Sequence, residues 1–428
     1  MDIISSLPDP ILCHILSFLG TKSYVRTSVL ARRWRLLWTS VQNLRFEEEY
    51  YGYRSKRRMG FADIIYRMLL FHDGAIDSLS IRVPYDDINH YQIDAWISTA
   101  FARNLRVLHL SELDDVRLPE RCFKCKSLVE MTIENCTISV KPGAVRLPKL
   151  KKLHLLYNYY EDDGSLPNLV SWCLALEDLV IERHGNECFF RHLCSPTLKS
   201  LVLTSVAECY NRDHQHMLVL DVPAIQYLRI EDNICYIIPD DQKLSSLVVA
   251  DIMLSRHFPS QDEGDISLWS DAIFRFLDKL SNAKSLTFRT YGPLKELLNP
   301  TFSIATTRFH NLTQIKLQAD WYILTELLHS AYKLELLTIE LVMFGMKGWR
   351  EPKHLPDCLS ASLKHVHIFE FAGEEDELNV VRYILKHAQI LKTIKIHFVF
   401  PYHGSKLCML QQIAHFPRAS KICQLILV

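Results

Sequence analysis

The feature that most constrains this chain is a short apolar phrase that keeps returning: an apolar residue, two variable positions, a second apolar residue, one variable position, and a third. It occurs as Ile76-Leu79-Ile81, Leu105-Leu108-Leu110, Leu128-Met131-Ile133, Leu150-Leu153-Leu155, Leu176-Leu179-Ile181, Leu198-Leu201-Leu203, Ile225-Leu228-Ile230 and Leu244-Leu247-Val249. After a gap it resumes as Ala283-Leu286-Phe288, Leu312-Ile315-Leu317, Leu334-Leu337-Ile339, Leu363-Val366-Ile368 and Leu391-Ile394-Ile396. The alternation at the end of each copy predicts a short strand with one buried face and one open face. A single such strand cannot bury its own apolar side, so successive copies must stack into one continuous core. Scattered strands in ordinary α/β domains would not keep this phase.

Successive copies from Leu105 to Leu198 start 23, 22, 26 and 22 residues apart, within the range of roughly 20–29 residues for leucine-rich repeats. The phrase therefore resembles that repeat, although the asparagine that usually follows is mostly missing and the spacings are irregular. In the gap before Ala283, Trp269 through Leu277 has helical spacing and is expected to supply the outer face of a longer repeat.

The N-terminal stretch follows a different period. Ile11, Leu12, Ile15, Leu16 and Leu19 fall at helical spacing, with Pro8 and Pro10 at the start and Gly20 as a stop. Val25, Val29 and Leu30, then Trp34, Leu37 and Trp38, fit further amphipathic turns. About forty residues cannot bury so many large apolar side chains alone. That surface meets either the rest of the chain or another protein, and periodicity leaves both open.

The residues Leu7-Pro8-Asp9, Ile11-Leu12, Ile15-Leu16-Ser17-Phe18-Leu19, Arg26-Thr27-Ser28-Val29-Leu30, Arg33-Trp34-Arg35 and Leu37-Trp38 resemble the plant form of the F-box almost position by position. The resemblance implies a helical module that inserts into a Skp-type adaptor and, through it, joins a cullin–RING ubiquitin ligase. Carried over by position, it implies adaptor contacts at Leu7, Pro8, Ile11, Leu12, Ile15, Leu19, Val29 and Trp34, with Trp38 packed inside. At the other end, Leu363-Lys364, Glu375 through Leu378, Leu385, Ala388, Leu391 and Phe416-Pro417-Arg418-Ala419-Ser420 resemble the FBD module of plant F-box and repeat proteins. There Gly373 ends a strand, and Glu374 to Glu377 sit at a helix start where negative charge suits the dipole. Leu378, Val381, Ile384, Leu385 and Ala388 give that helix its buried stripe, as befits a cap on the last repeats.

Composition narrows the function. The 428 residues are 48% hydrophobic and 23% charged, with 49 basic and 49 acidic side chains, so no global field favours nucleic acid or an anionic membrane. No apolar run approaches the roughly 18 residues of a membrane span. The twelve cysteines form no framework and no secretory signal is evident, which leads us to expect an intracellular protein, in cytoplasm or nucleus. The sequons at Asn135 and Asn311 then carry no weight. Arg54, Lys56, Arg57 and Arg58 are either a nuclear-import signal or a solvated loop.

Catalytic signatures are missing from the sequence. It has neither a phosphate-binding glycine loop nor a nucleophile elbow. Cys122-x-x-Cys125 lacks a second pair at zinc spacing, and His214 and His216 lack further ligands, so neither a metal nor a cofactor is expected.

The expected architecture is α/β: a three-helix F-box over 1–46, a curved leucine-rich-repeat solenoid over 47–349, and an FBD region with the last repeats and a C-terminal cap over 350–428. The expected function is non-catalytic: a substrate receptor that holds an unidentified target near a ubiquitin-loaded enzyme. The alternative is a repeat protein that sequesters a partner or senses a small ligand. Outward strand positions give the expected target face. It is acidic at Glu130, Glu134, Asp178, Glu182 and Glu231 and basic at Lys316, His365, His367, Lys395 and His397. Val107, Tyr227, Leu336 and Phe369 are its apolar points.

Overall fold

The computed structural model describes residues 4–47, 61–82, 88–113, 116–184, 192–205, 217–232, 235–237, 244–255, 275–291, 308–318, 321–341, 348–399 and 406–428. The basic cluster at 54–58, His214 and His216 lie outside these residues, as does most of the helix expected from Trp269. Its end is helical at residues 275–279. The chain divides into two compact units, Met1–Leu198 and Lys199–Val428.

The first unit opens with α1 (Asp9–Ser17) and α2 (Thr21–Arg26). Pro10 stands in the first turn of α1, where a missing N–H leaves no bond unmade. After Arg26 the chain continues in 3₁₀ turns over Thr27–Val29, Arg32–Arg35 and Leu37–Ser40, in place of a third α-helix. Thr27 Oγ1 donates back to the Tyr24 carbonyl at 2.6 Å, and Ala31 is fully extended, so neither position propagates an α-helix.

A parallel ladder follows: β1 (Asn43–Glu47), β2 (Ser78–Arg82), β3 (Val107–Ser111), β4 (Glu130–Glu134), β5 (Lys152–Leu156) and β6 (Asp178–Arg183). Leu44, Leu79, Leu108, Met131, Leu153 and Leu179 form one inward row; Phe46, Ile81, Leu110, Ile133, Leu155 and Ile181 form the next. Every one of these side chains is at most 3% exposed. Register is fixed at the foot of each strand, where two successive N–H groups donate to one carbonyl of the preceding repeat. Arg106 and Val107 share Asp77, Val129 and Glu130 share Arg106, and Lys151 and Lys152 share Val129. The same device begins with Asp77 and Ser78 on Gln42. β1 is thus a full member of the ladder, carried by the phrase Val41-Leu44-Phe46, and it runs across the expected boundary at residue 46.

Helices α3 (Phe61–Phe71), α4 (His90–Phe101) and α5 (Ser165–Ser171) connect strands of this unit. Asn89 and Gln92 form a reciprocal capping box at the start of α4. Beyond β3, β4 and β5 the chain turns at Glu112, Asn135 and Tyr157, all in left-handed backbone with φ of 56°, 51° and 54°. Next to the last of these, buried Asn158 donates to the Ile133 carbonyl at 2.8 Å and accepts the Cys136 N–H at 3.0 Å. Asn158→Ala strands both backbone groups, at about 1–3 kcal/mol each. Thermal melting of the full chain is expected to drop by several degrees, and an unchanged melt would show that the turn satisfies itself.

The second unit repeats the plan with β7 (Ser200–Ser205), β8 (Tyr227–Asp232), β9 (Val249–Ser255), β10 (Ser285–Tyr291), β11 (Gln314–Gln318), β12 (Leu336–Glu340), β13 (His365–Phe371), β14 (Thr393–Phe398) and β15 (Gln424–Leu427). They pair in that order, all parallel. Twelve of the thirteen phrases read from the sequence thus end in a ladder strand with their last two residues inward; the exception is Leu244-Leu247-Val249, where Leu247 precedes the strand, Val249 faces out, and the inward row is carried by Ala250 and Ile252.

Helices α6 (Trp321–Ser330), α7 (Asp357–Ala361), α8 (Glu375–His387) and α9 (Lys406–Ala414) connect the later strands. Glu374 caps α8 in a box with Glu377. The buried Glu377 carboxylate also accepts the N–H groups of Ala372, Gly373 and Glu374 at 3.0, 2.7 and 3.2 Å, and Gly373 supplies the positive φ of 81° that the turn needs. The stripe Leu378, Val381, Ile384, Leu385 and Ala388 is buried, and so are Val380 and Tyr383, the latter ring lying 5.6 Å from Trp349. The closing segment fastens to this helix and the turn after it. Ala419 N–H donates to Leu385, Ser420 Oγ to Leu391, and Arg382 lies over the Phe416 ring.

Candidate functional site

The N-terminal module presents two apolar stripes on one short helix. Leu12 and Leu16 of α1 point inward, at 0% and 1% exposure, and Tyr24, Trp34 and Leu37 are buried as well. Ile11 and Ile15 form the adjoining row, about 100° round the helix, at 47% and 39% exposure, continued past the helix end by Phe18 at 77% and Leu19 at 41%. Val29, Leu30 and Leu36 are also exposed. Among the residues expected to touch an adaptor, the structure therefore leaves Pro8, Ile11, Ile15, Leu19 and Val29 on the surface and Leu7 half-buried. Leu12 and Trp34 lie inside, where they hold the others in place and do not themselves offer a surface. Leu37, not Trp38, is the inward residue of the last turn; Trp38 is half-buried. Periodicity gave no sign of this, because both faces of α1 are apolar. Phe18, Leu30 and Leu36 join the exposed set, and their signal was present as large apolar residues beside the expected contacts.

Polar bonds across the module fix the Leu7-Pro8-Asp9 turn. Arg33 donates to Asp9 Oδ1 from Nε at 3.0 Å and from Nη2 at 2.7 Å, and also donates to the Ser5 carbonyl. Trp34 Nε1 donates to Ser5 Oγ at 2.8 Å. The Arg45 N–H donates to Thr21 Oγ1 at 2.9 Å, tying α2 to β1. The exposed Asp9–Arg33 pair adds little stability; its effect is to orient the turn.

The open faces of the ladders form the second candidate surface. Glu130, Glu134, Asp178 and Glu182 in the first unit are half-exposed, as are Glu231, Lys316, His365, His367, Lys395 and His397 in the second, and so are Val107, Tyr227, Leu336 and Phe369. Most of the acids have a base beside them. Glu130 takes Lys152 at 3.0 Å, Asp178 takes His154 at 3.5 Å, Glu231 takes Arg229 at 3.1 Å, and Glu182 hydrogen-bonds Tyr157, which raises the phenol's pKa. Glu130 and Glu231 are thus offset by fixed cations of the same face, Lys152 from the adjacent strand and Arg229 from the same one.

Cys122 and Cys125 are buried, Cys125 within 3.3 Å of Ser127 Oγ, and burial pushes the Cys122 thiol well up. The Cys122 thiol is thereby held in its protonated form. Among the described residues, no helix is long and apolar enough to cross a membrane.

Comparison with known proteins gives the family. The F-box domain model matches residues 4–46, the FBD model residues 351–396, and the leucine-rich-repeat model of the FBD-associated F-box protein At5g56370 residues 93–249. F-box/FBD/LRR-repeat protein At5g56420 of Arabidopsis thaliana is 30% identical over 99% of this chain and 98% of its own length. F-box/FBD/LRR-repeat proteins At4g26340 and At4g00160 of the same plant are 29% and 30% identical over 100% and 91% of the chain, covering 100% and 85% of their own lengths. With an F-box module at one end, the FBD match near the other and a parallel-strand repeat in each unit, this chain belongs to the F-box/FBD/LRR-repeat family.

Proposed function

We propose that this protein is the substrate-recognition subunit of a Skp–cullin–F-box ubiquitin ligase. In this reading the exposed stripe Ile11-Ile15-Phe18-Leu19 docks a Skp-type adaptor while the ladder holds a target protein. The observation that carries it is that stripe: four large apolar side chains, two on α1 and two in the turn that follows it, stay in water beside a row that is already fully packed. The protein contributes no covalent step. It acts by proximity, raising the effective concentration of a target lysine beside a charged ubiquitin carrier. No side chain is assigned an acid or base role. We place this action in the cytoplasm or nucleus.

The test is reconstitution of the full chain with a Skp-type adaptor, a cullin and its RING subunit. Adaptor-dependent ubiquitination of a captured protein is the expected result, with Leu7→Ala/Pro8→Ala reducing it through weaker adaptor binding. Capture of that protein without modification in the complete assembly would instead make this a sequestering protein. A trap for the target should keep residues 41–47, because deletion to residue 46 removes β1 from the ladder.

A further inference from the structure

Three large apolar side chains stand in water beyond the F-box match, on the helix that joins β1 to β2. Helix α3 buries Phe61, Ile65, Met68 and Leu69 on one side. Its outer side carries Tyr66 and Leu70, one turn apart, with Phe71 beside them at the helix end, at 59%, 60% and 59% exposure. Asp63 and Arg67 share that side but leave its last turn apolar. A helix with its inner stripe already buried ordinarily turns polar residues outward. Large apolar groups gathered there instead mark a surface for a partner.

Local bonds place that helix end against the F-box module. His72, buried directly after α3, donates from Nε2 to the Val41 carbonyl at 2.9 Å. The Asp73 N–H donates to the Thr39 carbonyl at 3.2 Å. Thr39 in turn donates to the Leu36 carbonyl, from its N–H at 3.1 Å and from Oγ1 at 2.8 Å. Leu36, 69% exposed, belongs to the apolar surface of the module together with Val29 and Leu30. Arg103 fixes α3 further, its Nη1 donating to the Leu69 carbonyl at 3.0 Å. A short chain of hydrogen bonds thus runs from Leu36 to the residues that directly follow Leu70 and Phe71, and both of its ends lie beside apolar groups in water.

Resting on the receptor reading above, we propose that Tyr66, Leu70 and Phe71 extend the adaptor-docking surface from the F-box module onto the first repeat. The occupant is the Skp-type adaptor: the target, in that reading, lies on the open strand faces, whereas the end of α3 is joined to the last turn of the module. A standard interface draws about 20–30 residues from each partner. The F-box match covers only residues 4–46, and Leu12, Leu16, Tyr24, Trp34 and Leu37 among them are buried. A partner seated on Leu36 therefore gains area by continuing onto α3. With one partner gripping both the module and the first repeat, the ladder of the first unit keeps a fixed attitude to the ligase, which action by proximity requires.

The experiment titrates the full chain with a purified Skp-type adaptor. Leu70→Gln/Phe71→Gln is expected to weaken binding about tenfold or more. Melting should stay close to that of the parent, because both side chains are already in water. Benzoylphenylalanine in place of Phe71 should couple to the adaptor on irradiation, a readout that does not depend on the folding of the double variant. Coupling only within the chain, as to residues 48–60, or only to a second copy would reveal a different occupant and overturn the proposal. A parent chain that binds no adaptor defeats the receptor reading itself. A parent that binds, with no loss of affinity in the folded double variant, defeats only the extension onto α3.

Discussion

Leu153→Asp is expected to unfold the first ladder well beyond the site of substitution. Leu153 is fully buried, in register between Met131 of β4 and Leu179 of β6. Removing its side chain forfeits a core contact worth about 2–5 kcal/mol. The carboxylate adds a larger cost, because its register partners Met131 and Leu179 offer no donor and an unpaired charge in an apolar interior is penalised by several kcal/mol more. Whole domains are stable by only about 5–15 kcal/mol. The loss should therefore spread: a repeat that cannot bury its strand also uncovers the strands on either side. Hydrogen exchange is expected to rise in β4 and β6 as well as β5. Lys152→Ala, one residue away, loses only the exposed contact with Glu130, an interaction of about 0–1 kcal/mol, and should melt close to the parent. Exchange confined to β5 in the aspartate variant would mean that the strands do not share one core.

How far the sequence revealed this fold depends on the range of the interaction behind each feature. The strands were legible because their signal is local: two apolar residues in alternation, with a third three positions earlier. Val41-Leu44-Phe46 has the same signal, but it sits inside the F-box stretch, and its role as β1 follows from pairing with β2 at residue 78 and beyond. The same holds for Leu425 and Leu427 in β15, within the closing FBD segment. The α8 stripe was legible, whereas the packing of Tyr383 involves Trp349, a neighbour distant in sequence. On the candidate target face the acids could be named, but not their compensation. Lys152 meets Glu130 and Arg289 meets Asp251 only once register is fixed.

Ile11→Asp/Ile15→Asp is expected to abolish adaptor capture while the chain stays folded. One turn of α1 separates the two side chains, and they share a face with Phe18, so together they form the centre of the exposed stripe. Because both are already in water, polar substitutions there should change stability by only about 0.5 kcal/mol. In a complex the same positions become desolvated anchors, and each central apolar contact costs roughly 2 kcal/mol or more when lost. Two such losses weaken binding by about two to three decades, and the aspartates add the penalty of burying charge. Leu12→Asp is the contrasting variant: its side chain is fully buried, so it should lower the melting temperature of the module and lose the adaptor through misfolding. Calorimetric titration with a purified Skp-type adaptor, paired with thermal melting, separates the two effects. Full-affinity binding by the folded Ile11→Asp/Ile15→Asp chain would move the docking surface off α1, to exposed apolar residues such as Phe18 and Leu19 after the helix or Val29, Leu30 and Leu36.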